Sequence, residues 1–121
     1  MNSKLTMVLR IVLALVLLVF GANHFFAFMP SPTLPADSFI PHIIATGYLW
    51  QVIGLTEIIA GLLLILNKWK GFALVIMAPI SLNIVLYHLT YDIANFGPGA
   101  LVAILNVLLI YTNWDKFKTL F

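Results

Sequence analysis

Four long apolar stretches, separated by short segments rich in Pro, Gly, Asn and Lys, set the pattern of this chain. The first is predicted as a helix over residues 5–28, and residues 11–20 within it are uninterruptedly apolar. The others are predicted over residues 43–66, 72–90 and 100–112. Between the first two, Pro30, Pro32, Pro35 and Pro41 forbid a continuous helix. Asp37 and Ser38 suit the cap of a short interfacial helix or turn in that proline-rich loop. Asn67-Lys68-Trp69-Lys70-Gly71 reads as a tight polar turn, and Asn95 to Gly99 as a second break. The fold expected is all-α: an integral membrane four-helix bundle, one transmembrane domain over residues 1–121.

Composition turns this from a pattern into a requirement. Hydrophobic residues make up 63% of the 121 and charged residues 8%. A soluble domain carries about 25% charged residues, so this chain could not cover a water-facing surface and has to dissolve in lipid. A crossing helix needs roughly 20 apolar residues, and four of them leave room for short loops alone. The absence of cysteine removes thiol relays, c-type haem attachment and Cys-based metal sites. A net charge of +2 without any basic run gives no nucleic-acid footprint.

The six basic residues have a topological meaning instead. Lys4 and Arg10 lie at the start, Lys68 and Lys70 in the second connection, and Lys116 and Lys118 at the end. With four crossings all six fall on one side, and Asp37 and Asp92 fall on the other. The positive-inside rule then places both termini in the cytoplasm, in an inner (cytoplasmic) membrane. Lys4 and Arg10 before an apolar run also fit a signal peptide, but Val19 and Gly21 make a poor cleavage site and the helix pattern runs on to Phe28. Trp69, Trp114, Tyr91 and Tyr111 sit at expected interfaces, where amphipathic rings concentrate.

Candidate chemistry lies in the polar residues inside the stretches. Glu57 falls near the middle of the second, where a charged group costs at least ~2.5–3.5 kcal/mol on insertion scales. It is expected to face the bundle, protonated or paired. Gly47, Gly54 and Gly61 recur every seven residues beside Gln51 and Glu57, a small-residue stripe for close helix packing. On the first helix, Arg10, Gly21 and His24 share a face, with Arg10 free to snorkel toward the surface. Pro79 leaves the Val75 carbonyl without its helical donor and predicts a kink. Glu57, Asn83 and Asn106 are expected to form a midplane cluster, with His24, Gln51 and His88 lining a path to the outer face. The same residues equally suit a set of hydrogen bonds that pins the bundle together. Ligation of a haem by His24 and His88 is disfavoured, because histidines near helix ends commonly serve as plain hydrogen bonders. His42 reads as a surface residue, and no metal site, phosphate loop or nucleophile–base pair is evident.

Several short runs, in order and spread over nearly the whole chain, give a resemblance. They are Phe25-Phe26-Ala27-Phe28-Met29-Pro30 followed by Pro32 and Pro35, then Ala45-Thr46-Gly47-Tyr48, then Leu55-Thr56-Glu57-Ile58-Ile59-Ala60-Gly61, then Ala78-Pro79 with Asn83-Ile84 and His88. Together they resemble the DoxX-like family of small four-helix membrane proteins. The resemblance implies a redox-associated membrane protein, and Glu57, Gly61, Pro79, Asn83 and His88 are the positions that match the family pattern. It does not carry His24, and no soluble catalytic domain accompanies these helices. The leading expectation is therefore a redox-associated, quinone-linked membrane subunit that is no enzyme on its own. Its cofactor is undetermined, with quinone the candidate, and outer-face redox proteins or further copies of itself are candidate partners. A structural or assembly protein that binds partner helices is the alternative, and a small oligomeric transporter a third.

Overall fold

The computed structural model describes residues 3–26 and 40–118, and among these every regular element is helical. Helix α1 spans Ser3–Phe26, α2 Ile40–Ala45, α3 Leu49–Ile65, α4 Lys70–Tyr91, α5 Phe96–Thr112 and α6 Trp114–Phe117. A 3-10 turn, Ile93–Asn95, leads into α5. The prolines at 30, 32 and 35 and the expected Asp37–Ser38 cap lie outside the described residues.

Helices α1 and α4, and the stretch Ile93–Thr112, are each long and apolar enough to cross a membrane, while α3 is a shorter apolar helix of 17 residues. The four pack side by side: α1 on α3, α3 on α4, α4 on α5, with α5 closing against α1. Each turns a narrow stripe inward at helical spacing, such as Leu13, Ala14, Leu17 and Gly21 on α1, or Val102, Leu105, Asn106 and Leu109 on α5. The core is Leu-rich, with Leu13, Leu17, Leu64, Leu74, Met77 and Leu109 fully buried. The outward faces are apolar as well, with Leu15, Leu55, Leu82 and Val107 among the exposed side chains. Helices apolar all round, with a bundle this thin, belong in lipid.

Two boundaries differ from the patterning, each for a local reason. The helix expected from residue 43 is divided: α2 stops at Ala45, and Gly47 adopts φ +83° beyond it. The Gly47 N–H bonds the Ile44 carbonyl, and Thr46 Oγ1 accepts from the Leu49 N–H at 3.1 Å, so one short segment ends α2 and caps α3. The break expected from Asn95 to Gly99 is instead mostly helix, because α5 begins at Phe96. Pro98 falls in its first turn, where backbone N–H groups have no intrahelical partner to lose.

The turn after α3 is a Schellman cap. Asn67 takes φ 57°, its N–H bonds Leu64 O at 3.2 Å, and the Lys68 N–H bonds Leu63 O at 2.9 Å. Trp69 is also left-handed, at φ 49°, and α4 starts immediately after it. All the described basic residues beyond Lys4 collect at this end. Arg10 bonds the last turn of α3, and the Lys116 side chain lies 3.7 Å from where a Cβ on Gly71 would stand.

Candidate functional site

The closest helix pair is α1 with α3, which run antiparallel. Small residues set the contact at two levels. A Cβ on Gly54 would stand 2.5 Å from His24 Cβ, and one on Gly21 would stand 2.9 Å from the Gly54 carbonyl. Two turns away, a Cβ on Gly61 would meet Ala14 O at 3.0 Å and Leu18 Cγ at 2.9 Å. Neither glycine of α3 tolerates a side chain, so backbones approach as closely as small-residue seams allow. Gly47 does not share this role: nothing lies within 4 Å of its would-be Cβ, and its left-handed backbone ends α2. Gly54 and Gly61, seven residues apart, thus lie on the α1 contact, whereas Gly47, seven residues earlier, does not.

Polar groups occupy both ends of this seam. Arg10 Nη1 donates to the Leu64 carbonyl and, at 3.5 Å, to that of Ile65. These carbonyls end α3, where the helix dipole favours a cation. Arg10 is thus a helix cap and not the freely snorkelling side chain the sequence suggested. Toward the other end, His24 stacks on the Trp50 ring, with centroids 3.9 Å apart and planes at 23°. Its Nδ1 is 2.8 Å from the Trp50 carbonyl, an acceptor only, so Nδ1 carries the hydrogen. In the neutral ring Nε2 then holds a lone pair, and it lies 3.7 Å from Glu57 Oε2.

Glu57 is 4% exposed and stands midway along α3. Its Oε2 is buried without a hydrogen bond among the described residues, so the imidazole edge is its nearest polar neighbour of opposite potential charge. Chemically the pair holds a proton on either member, as carboxyl with neutral imidazole or carboxylate with imidazolium. Both forms have zero net charge, and an apolar seam tolerates both better than a lone carboxylate.

The other expected site residues do not join this pair. Asn83 is exposed on α4 and donates Nδ2 to the Pro79 carbonyl of its own helix at 2.8 Å. Asn106 is buried but turns to α4, donating to Leu74 O at 3.2 Å. Gln51 is exposed. His88 bonds Ile84 O through Nδ1 at 2.8 Å and packs edge-on to Tyr87 and against Phe96. A midplane Glu57–Asn83–Asn106 cluster is therefore not formed: Asn83 finds its acceptor within its own helix, and Asn106 finds one on α4. Pro79 sits inside a helix that continues through it, and its carbonyl serves Asn83. Trp50 was missed in the sequence. Its signal was available, since it stands seven residues before Glu57 and so on the same face. Among the described residues no group of three or more His, Cys, Asp or Glu side chains is placed to hold a metal.

The family model described as DoxX matches residues 5–89. The chain belongs to the DoxX family. No curated protein and no solved structure matches it. The DoxX match covers α1 through nearly all of α4, so the glycine seam, Arg10 and the His24–Glu57–Trp50 group lie wholly within it. Helix α5, with Gly99 packed on Ile84 and His88, and Asn106 bonded to Leu74, lies beyond the match.

Proposed function

We propose that this DoxX-family protein is a quinone-linked membrane subunit in which the Glu57–His24 pair holds and passes a proton inside the lipid. The observation that carries the reading is the buried Glu57 Oε2, unbonded and facing His24 Nε2 at 3.7 Å. Ionisable groups within the membrane are costly, and proton relays are a main reason for keeping them. The proposal takes α3 as a fourth crossing: its 17 residues rise about 25 Å, close to the ~30 Å hydrocarbon core. It also takes the Arg10, Lys68 and Lys116 end as cytoplasmic, with both termini inside an inner membrane.

A bound quinone would supply two-electron, two-proton chemistry. The chain's own residues would handle the proton. Glu57 receives or donates it, and His24 Nε2 shares it. The Trp50 carbonyl fixes the ring tautomer while the Trp50 ring fixes its plane. Gly21 and Gly54 bring the helices close enough to keep water out of the pair. Electrons would come from or go to a redox partner protein, as the chain lacks cysteine for a thiol relay.

The test is quinone content and binding of the gently extracted, full-length protein. Duroquinone should quench Trp50 fluorescence in a Trp69→Phe, Trp114→Phe background, and Glu57→Gln should abolish proton uptake on its reduction. Absence of co-purified quinone, together with quenching and proton uptake indifferent to Glu57→Gln, would sink the proposal.

The tight Gly54 and Gly61 contacts favour a second reading, a structural protein whose seam positions partner helices. Partner capture that survives Glu57→Gln but is lost in Gly54→Leu would select it.

A further inference from the structure

We propose that α4 is the interface with a second copy of this chain, centred on Asn83. The inference requires that α4 cross the membrane and is independent of the proton reading. Helix α4 is 22 residues long, about 33 Å, and Asn83 stands about 20 Å from its Lys70 end. That depth lies within the ~30 Å hydrocarbon core. Yet Asn83 is exposed, on a face shared with Val75, Leu82 and Leu86. An outward amide in hydrocarbon has no water to bond.

The internal bond to Pro79 meets part of that need and orients the rest. The Pro79 carbonyl accepts only, so the amide atom 2.8 Å from it is Nδ2. One Nδ2 hydrogen and Oδ1 then remain on an exposed side chain. What they require is a donor and an acceptor at the same depth. A second copy inserted in the same orientation provides both. A two-fold axis along the membrane normal brings equal residues to equal depth, so Asn83 meets Asn83. A carboxamide is its own complement, and the pair closes with two reciprocal N–H···O bonds. Intramembrane asparagines bond across helices in this way. Leu82 and Leu86, on one flank of Asn83, supply apolar packing beside the pair.

Two experiments test the interface on the full-length protein in lipid vesicles. Dimerisation of singly labelled molecules is followed by energy transfer as the protein-to-lipid ratio is varied. Asn83→Leu should weaken association about tenfold, whereas Asn83→Gln, which keeps the amide, should stay within about threefold of wild type. The natural absence of cysteine gives a second readout that needs no change at Asn83. Leu86→Cys should form an intermolecular disulfide on oxidation, while Leu62→Cys, on the exposed face of α3, should not. A protein monomeric at every ratio overturns the proposal. So does an Asn83→Leu variant that associates like wild type, or cross-linking at 62 without cross-linking at 86.

Discussion

The α1–α3 and α4–α5 pairs bury similar apolar stripes but use their polar residues in opposite ways. Between α1 and α3 the polar groups reach across: Arg10 to the end of α3, His24 to the Trp50 carbonyl, Glu57 toward His24. On α4 the polar side chains mostly fold back, Asn83 onto Pro79 and His88 onto Ile84. Asn106 bridges α5 to α4, donating to the Leu74 carbonyl. Geometry explains the contrast. An amide or imidazole can satisfy itself on the carbonyl four residues back, as Asn83 and His88 do, or reach a neighbouring helix that comes close, as His24 and Asn106 do. A mid-helix carboxylate has no backbone donor to find, because every N–H around it is already spent. Glu57 therefore has to be solved by another helix, and the glycine seam brings that helix near.

The largest test of this contrast is Gly54→Leu. Its added Cβ meets His24 Cβ at 2.5 Å, and the rest of the side chain has nowhere to go. The expected loss is about 3 kcal/mol in denaturant titration followed by helicity. Gly47→Ala, with no neighbour within 4 Å, should cost only about 1 kcal/mol, from its left-handed backbone. Equal losses at the two glycines would remove the distinction drawn between seam and stop.

Next in size is Arg10→Met, which keeps the apolar stem but leaves the Leu64 and Ile65 carbonyls without their cation. It should cost about 1.5 kcal/mol in the same titration. Asn106→Leu removes the Asn106–Leu74 bridge between α5 and α4 and should cost about 1 kcal/mol. If Asn106→Leu cost more than Arg10→Met, the α4–α5 pair and not α1–α3 would be the one that depends on cross-helix bonding. Smallest is Asn83→Leu, whose amide bonds only within its own helix. Monomer stability at high dilution in detergent should move by less than about 0.5 kcal/mol.

The sequence determined the membrane character, the helical class and the gathering of basic residues at one end. Those follow from composition and from where charge interrupts apolar runs, and neither depends on which helix meets which. It also singled out Glu57, Gly54, Gly61 and the shared Arg10–Gly21–His24 face, because a helix fixes the direction of its own side chains. It did not determine the partners. Whether Glu57 meets His24 or the asparagines depends on the rotation and register of α1 against α3, α4 and α5. That register is set where small residues face each other, at Gly21 with Gly54 and at Gly61 with Ala14. Small-residue spacing permits several such pairings, and only the packed bundle selects one. It also decided Gly47, which has the right period but lies past the end of a helix, and Asn83, whose polar head turns away from the core that its residue type suggested.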